Sequence, residues 1–160
     1  MMKEIKMRIV VLRFVMAIIC SALLVSALMA QAPAKSATEE KDVDLIWGVK
    51  IPMRDGVRLN ATVYKPKGMR EPLPVIFTLT PYIADTTHAR AMYLAQNGYV
   101  FALIDCRGRG NSEGRFEPLA DDGRDGHDIV EWLAKQAWSN GKVAMRGGSY
   151  SGFNQWSTLK

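Results

Sequence analysis

Apolar and polar residues follow a strand-like pattern where the structured part of the chain is expected to begin. Residues 43–51 are strand-like, and residues 57–64 alternate between apolar and polar positions, as half-buried strands do. The segment Arg54-Asp55-Gly56 lies between them, and its glycine favours a turn because glycine adopts positive φ at no steric cost. The two segments are therefore predicted to form an antiparallel hairpin, which residues 66–68 close.

Nearly continuous apolar runs follow the hairpin, at residues 73–80, 99–104 and 143–145. Such runs are typical of strands that are buried on both faces, as in a parallel sheet. Two amphipathic helices are predicted between these strands, over residues 87–97 and 125–136. The order strand–helix–strand–helix–strand predicts an α/β layered domain with a mostly parallel sheet behind the hairpin.

The first 30 residues have the pattern of a secretory signal peptide. Basic residues come first, residues 14–25 carry no charge, and small residues follow. We expect cleavage after Ala30 or Ala34, a linker before the first strand, and a secreted or periplasmic protein with no stable membrane insertion after cleavage. The alternative is an uncleaved membrane anchor, although the apolar run is shorter than the ~20 residues that a spanning helix needs.

Charge and cysteine content exclude several function classes. The net charge is +5, of which +3 comes from the first 30 residues, and the rest of the sequence has no stripe of basic and aromatic residues. We therefore expect no nucleic-acid partner. Cys20 lies in the predicted signal, so Cys106 stands alone and is expected to be a small packing residue. It has no CxxC partner and no nearby histidine, so it does not indicate a metal site.

A glycine-rich turn, Gly147-Gly148-Ser149-Tyr150-Ser151-Gly152, joins the last predicted strand to a helix. A serine at such a junction is held in a strained conformation with its hydroxyl raised above the sheet, as in serine hydrolases. Ser149 is therefore the candidate nucleophile, and the backbone N–H of Tyr150 is a candidate oxyanion donor. The first two glycines are expected to permit the sharp turn, and Gly152 to let the helix pack close to the strand.

The turn departs from the simple G-x-S-x-G pattern, because its last glycine comes one position later. A turn with a purely structural role is therefore an alternative interpretation. A phosphate-binding loop is not indicated, because the G-K-[ST] sequence of such loops is absent.

Further segments accompany the serine turn in a fixed order: Met53–Leu59, Thr80-Pro81-Tyr82, Asp105–Gly114 and Trp138–Val143. With these segments, the chain from about residue 47 to its last residue resembles the serine-hydrolase family (CocE/NonD and peptidase S15 type). This family includes Xaa-Pro dipeptidyl-peptidases, cocaine-esterase-like enzymes and α-amino acid ester hydrolases. Several ordered segments at sensible spacing are far more specific than the serine turn by itself.

The resemblance implies an α/β-hydrolase fold and hydrolysis of an ester or amide through an acyl-enzyme on Ser149. In this family a tyrosine in the loop after the strand donates its hydroxyl to the oxyanion, which gives that function to Tyr82; packing under the loop is the alternative. The implied substrate is a small ester or amide or a short peptide, and no metal or organic cofactor is implied. Peptidase, esterase and α-amino ester hydrolase activities all stay open, and the oligomeric state is not indicated. The residue pattern and the resemblance together predict a signal peptide over residues 1–30, a linker over 31–42 and the N-terminal part of the catalytic domain over 43–160.

Other polar residues of the family-like loop are expected to be structural. Asp105 ends a strand, Arg107 is expected to pair with a carboxylate and so fix the loop, and Glu113 is placed with them. The glycines of this loop resemble a dinucleotide-binding fingerprint, but the third comes one position late and no convincing βαβ unit follows.

Both histidines, His88 and His127, precede Ser149, whereas the base of this fold follows its nucleophile. We expect both to be surface or structural residues, and the Asp and His of the triad to lie beyond Lys160. The fold would then be truncated after the nucleophile turn, and the sequence would be part of a longer enzyme, inactive alone because its serine lacks a base. The alternatives are a catalytically incomplete fragment and a secreted α/β binding module.

Overall fold

The computed structural model describes Met16 and residues 42–160. The predicted signal peptide and nearly all of the predicted linker lie outside the described residues, so both stay predictions. Within residues 42–160 no helix is long and apolar enough to cross a membrane. The elements of that part are the strands β1 Val43–Pro52, β2 Arg58–Pro66, β3 Leu73–Thr80, β4 Val100–Asp105 and β5 Ser139–Met145, a 3-10 turn at Ala84–Thr87, and the helices α1 His88–Gln96, α2 Asp122–Ala134 and α3 Tyr150–Thr158.

The strands form one sheet in the order β1-β2-β4-β3-β5. β2 pairs antiparallel with both β1 and β4, and β3 pairs parallel with both β4 and β5. This arrangement confirms the prediction of a parallel sheet behind an N-terminal antiparallel hairpin. Because β3 and β5 are parallel neighbours, the segments that follow them, including Tyr82 and Ser149, emerge at the same edge of the sheet.

The two faces of the sheet carry separate hydrophobic clusters. All six residues of β4 are buried, and successive side chains of a strand point to opposite faces. Ile104 belongs to the cluster that contains Ile129 and Leu133 of α2, whereas Phe101 belongs to the cluster that contains Ala91 of α1. Helices therefore cover both faces, which is the α/β layered architecture that the sequence predicts.

The helix α2 begins three residues earlier than the sequence pattern predicts. Gly123 and Gly126 lie inside it, and glycine weakens a helix by roughly 1 kcal/mol relative to alanine. Their use here is close packing against α3: a Cβ on Gly123 would lie 2.7 Å from the carbonyl oxygen of Ser157, and a Cβ on Gly126 would collide with Thr158. Glycine is therefore required at positions 123 and 126 by the packing of α2 against α3.

The strand β5 differs from prediction in its burial. It includes residues 143–145, which were expected to be buried on both faces, but most of its side chains are partly or fully exposed. That prediction is wrong. The side chains of β5 are exposed because β5 is an edge strand: within the described residues it pairs with β3 on one side only.

Candidate active site

Ser149 lies in the turn between β5 and α3, where the sequence predicts a nucleophile. Its backbone has φ 54° and ψ −125°, a conformation that a residue with a side chain rarely adopts. Its carbonyl oxygen accepts the N–H groups of Gly152 and Phe153 at 2.9 and 3.0 Å. The residue is exposed, so this strained turn presents the serine at the N-terminus of a helix.

Close packing at Gly147 supports the strained turn. A Cβ at this position would lie 2.3 Å from the Cβ of Ser151, so a larger residue would collide with the first turn of α3. Ser151 is itself held in place, because its hydroxyl donates a 2.8 Å hydrogen bond to the carbonyl of Leu79 in β3. Gln155 donates to the carbonyl of Gly147 at 2.9 Å. These contacts fix the start of α3 against the sheet.

The other two glycines of the turn do not have the functions that the sequence suggested. A Cβ on Gly148 would meet nothing within 4 Å, and the residue does not have positive φ. A Cβ on Gly152 would lie 3.7 Å from the carbonyl oxygen of Gly147, an ordinary contact distance. The expectations for Gly148 and Gly152 are therefore wrong, because Ser149 itself adopts the unusual φ and Gly147 provides the close approach.

Tyr82 follows β3 and lies beside the serine turn. Its side chain is 56% exposed, and its ring makes an edge-to-face contact with the ring of Tyr150 at a centroid distance of 6.4 Å. The N–H of Tyr82 donates to the hydroxyl of Thr80 at 3.1 Å, and the next residue, Ile83, has φ 70°. Positive φ is a genuine outlier for a β-branched residue. The structure thus brings Tyr82 next to the residue after Ser149, while its catalytic function stays a prediction.

Arg109 holds the Tyr82 segment from the neighbouring loop. Its Nε donates a 2.9 Å hydrogen bond to the carbonyl of Pro81, and its guanidinium carbon lies 5.3 Å from the centroid of the Phe116 ring. A guanidinium over an aromatic face is held by cation–π attraction. Sequence reasoning gave Arg109 no function, because nothing local in the sequence indicates which carbonyl it contacts.

Tyr150 occupies the first position of α3, and its backbone and side chain have different surroundings. Its N–H is in the first helical turn and has no acceptor within the helix. Its hydroxyl accepts the N–H of Leu119 at 2.8 Å and donates to the carboxylate of Asp122 at 2.8 Å. Burial raises the pKa of Tyr150 to about 12, and Asp122 adds to this shift. The hydroxyl therefore stays protonated at neutral pH, and sequence reasoning missed both of its partners.

The charged residues of the 105–114 loop form ion pairs with the hairpin and with α2. Arg107 is 12% exposed and contacts both oxygens of Asp125, at 2.6 and 3.1 Å, and Asp55 at 2.8 Å. Hydrogen bonding to Asp125 raises the pKa of Arg107 above its ordinary value. Glu113 pairs with Arg58 at 2.6 Å. These contacts are those expected of structural residues, and they tie the loop to β2 and α2.

The glycines of this loop also have a structural explanation. Asp105 is buried, and a Cβ on Gly110 would lie 2.3 Å from its carboxylate. Ser112 donates to the carbonyl of Asp105 at 2.7 Å and accepts the N–H of Asn60 at 2.8 Å. The loop is therefore folded around its own strand end, which accounts for Gly110 without a bound nucleotide.

The histidines and the cysteine lie in other surroundings. His88 Nδ1 is 2.9 Å from the hydroxyl of Tyr64, and His127 is an exposed residue of α2 beside Arg54. Cys106 is 2% exposed in the main core, and burial raises the pKa of its thiol. Among the described residues no group of three or more His, Cys, Asp or Glu side chains is arranged to hold a metal ion.

Sequence comparison identifies the family. The profile of the X-Pro dipeptidyl-peptidase (S15) family matches residues 55–160. This chain belongs to that family. It is 39% identical to a cocaine esterase from Rhodococcus sp. (strain MB1 Bresler) over 114 residues, which are 68% of this chain and 20% of the esterase. It is also 35% identical to a putative serine esterase from Mycobacterium bovis, over 64% of this chain and 20% of that protein.

Structural comparison supports the same assignment. The chain of an α-amino acid ester hydrolase superposes with a TM-score of 0.66 and 31% identity, over 81% of this chain and 26% of the hydrolase. The fold is therefore the α/β-hydrolase fold. The chain spans about a fifth of the length of the curated relatives it matches.

Proposed function

We propose that the protein is a serine hydrolase that cleaves an ester or amide through an acyl-enzyme on Ser149. The observation that carries this proposal is the positive φ of an exposed serine at a strand–helix junction, with Tyr82 beside it. Ser149 Oγ attacks the carbonyl carbon and gives its proton to a base. The C–O or C–N bond then breaks as the leaving group takes that proton, and water releases the acyl group by the same steps in reverse.

The oxyanion is proposed to accept hydrogen bonds from the hydroxyl of Tyr82 and the N–H of Tyr150. The edge-to-face contact between their rings supports this pairing, because Tyr82 is in contact with the residue that follows Ser149. Hydrogen bonds from preorganised donors of this kind become stronger as negative charge develops on the carbonyl oxygen. Loss of one such donor lowers the rate ~10²–10³-fold.

The general base is proposed to come from outside residues 1–160. His88 and His127, the two histidines of the sequence, contact Tyr64 and Arg54. Residues 1–160 by themselves would then hold a serine without a base and would be inactive. The names of the relatives, a cocaine esterase and an α-amino acid ester hydrolase, support a small ester substrate, and the dipeptidyl-peptidase name of the family supports an amide. The sequence pattern of residues 1–30 supports export from the cytoplasm.

Labelling with a fluorophosphonate probe tests the nucleophile. In the full-length protein the probe should modify Ser149, identified by mass spectrometry, and Ser149→Ala should abolish both labelling and hydrolysis of p-nitrophenyl acetate. Ser157→Ala, in the same helix, is the matched control and should retain both. A folded wild-type protein that takes no label at Ser149 would refute the proposal.

Tyr82→Phe tests the oxyanion donor. The substitution keeps the ring contact with Tyr150 and removes only the hydroxyl, so kcat should fall by about 10²–10³ with little change in melting temperature. Tyr93→Phe, on the exposed face of α1, is the control. An unchanged kcat in Tyr82→Phe would show that the hydroxyl does not contact the oxyanion.

A further inference from the structure

The side chain of Tyr150 makes contacts that the proposed reaction does not use. Only its backbone N–H is needed at the oxyanion, yet its hydroxyl bridges two groups on another segment. It accepts the N–H of Leu119 and donates to Asp122, each at 2.8 Å. Phe116 and Phe153 lie against its ring, with centroid distances of 6.2 and 6.3 Å. The residue after the nucleophile is therefore anchored from outside its own helix.

Asp122 is a rigid partner for this hydroxyl. It is 5% exposed and lies in the first turn of α2, where the positive end of the helix dipole favours a carboxylate. Its other oxygen, Oδ1, lies 3.6 Å from the thiol of Cys106, the residue that follows β4. Both oxygens are thus engaged by different elements, so the carboxylate has little freedom to move.

The second contact to the hydroxyl is also constrained. Leu119 has φ 66°, and its N–H points at the hydroxyl of Tyr150. A non-glycine residue in this region of φ is held there by its surroundings. The hydroxyl of Tyr150 is therefore positioned by a strained backbone on one side and a buried carboxylate on the other.

We propose, resting on the function proposed above, that Asp122 is a positioning residue for hydrolysis. By accepting the hydrogen bond of the Tyr150 hydroxyl, it holds the first residue of α3 so that the Tyr150 N–H points at the oxyanion. The direction of this N–H depends on the backbone between the strained Ser149 and the anchored Tyr150 side chain. A displacement of about 1 Å in such a group can cost ~10²-fold in rate.

A purely structural function of the same contact has a different signature. It would lower the melting temperature without changing the turnover of the protein that remains folded. A positioning function lowers kcat well below the melting temperature and leaves KM nearly unchanged, because the ground-state carbonyl depends less on the donor than the oxyanion does.

The test compares Tyr150→Phe and Asp122→Ala with wild type in the full-length protein, with Tyr93→Phe as the matched control. Tyr150→Phe keeps the ring and the N–H and removes only the hydroxyl. We expect kcat to fall about 10- to 100-fold in both variants, with KM within about twofold of wild type. The inhibition constant of phenylboronic acid, whose adduct on Ser149 carries an oxygen in the oxyanion position, should rise by a similar factor.

If Tyr150→Phe fails to fold, Asp122→Asn still tests the positioning function of Asp122. Its amide oxygen still accepts the hydrogen bond from Tyr150, so it should retain more kcat than Asp122→Ala. An equal fall of kcat in Asp122→Asn and Asp122→Ala would overturn this inference and leave the proposed function standing. An unchanged kcat in Asp122→Ala or in folded Tyr150→Phe would do the same. A wild-type protein that takes no fluorophosphonate label at Ser149 would overturn the proposed function as well, so the two failures are distinguishable.

Discussion

The close approach at Gly147 gives a sharp prediction about the turn that contains Ser149. In Gly147→Ala the new Cβ would be placed 2.3 Å from the Cβ of Ser151 and 3.1 Å from its carbonyl carbon. Neither atom is the movable end of a flexible side chain. Ser151 is also held at its other end, where its hydroxyl donates to Leu79 at 2.8 Å. The backbone of the turn, which includes Ser149, therefore has to move.

The cost follows from the contacts that this movement disturbs. Overpacking in a well-packed region costs about 1–3 kcal/mol, and loss of the buried Ser151 hydrogen bond costs about 0.5–1.5 kcal/mol more. We therefore expect Gly147→Ala to lower the free energy of unfolding by about 2–4 kcal/mol, with a corresponding fall in melting temperature of about 5–15 °C. The displacement of Ser149 should also slow its labelling.

The adjacent glycine provides the control. A Cβ on Gly148 would meet nothing within 4 Å, and the residue does not have positive φ, so Gly148→Ala should change stability by no more than about 0.5 kcal/mol. Differential scanning fluorimetry measures the melting temperatures, and timed fluorophosphonate labelling at 25 °C measures the state of Ser149. If Gly147→Ala melts with wild type, or if both variants are equally destabilised, the packing explanation is refuted.

Three other predictions concern groups outside the turn. Arg107→Leu should destabilise the fold by about 3–5 kcal/mol, measured by melting, because it leaves the buried Asp125 unpaired; a wild-type melting temperature would contradict this. Cys106 should resist alkylation by iodoacetamide at pH 8 until the protein unfolds, since burial raises the pKa of its thiol; peptide mapping of native protein would reveal any early modification. The hydrogen bond from Arg58 lowers the pKa of Glu113 below its ordinary value of 4.5, so its stabilising contribution is present above that value and is lost as the pH falls through the lowered pKa. The difference in melting temperature between wild type and Glu113→Gln should therefore shrink as the pH falls below about 4, and a difference independent of pH would contradict it.

The sequence predicts most of the sheet because its signals are local. Alternation identifies β2, continuous apolar runs identify β3 and β4, and Gly56 marks the hairpin turn with φ 86°. The position of Ser149 between a strand and a helix is also predictable, because the glycine-rich turn interrupts both patterns. The burial of β5 was predicted wrongly, since burial depends on what lies beside a strand as well as on its own residues.

The supporting residues of the site are not predictable in this way. Asp122 accepts a hydrogen bond from Tyr150, and Arg109 donates one to the carbonyl of Pro81. Both contacts join residues that are distant in the sequence, and no period or spacing in the sequence links these positions. Gly123 is explained in the same way, because a Cβ at this position would collide with the carbonyl oxygen of Ser157 in another helix. Local patterns therefore locate the candidate nucleophile, whereas tertiary packing determines which residues hold it in place.

The order of the strands in the sheet has a consequence for folding during synthesis on the ribosome. β3 lies between β4 and β5, yet it leaves the ribosome before either of them. Until residues 100–105 emerge, both edges of this apolar strand lack their parallel partners, and the β5 side stays uncovered until residues 139–145 follow. Exposed apolar strand edges promote aggregation. Nascent chains stalled before residue 139 should therefore need chaperone protection more than chains that have completed β5.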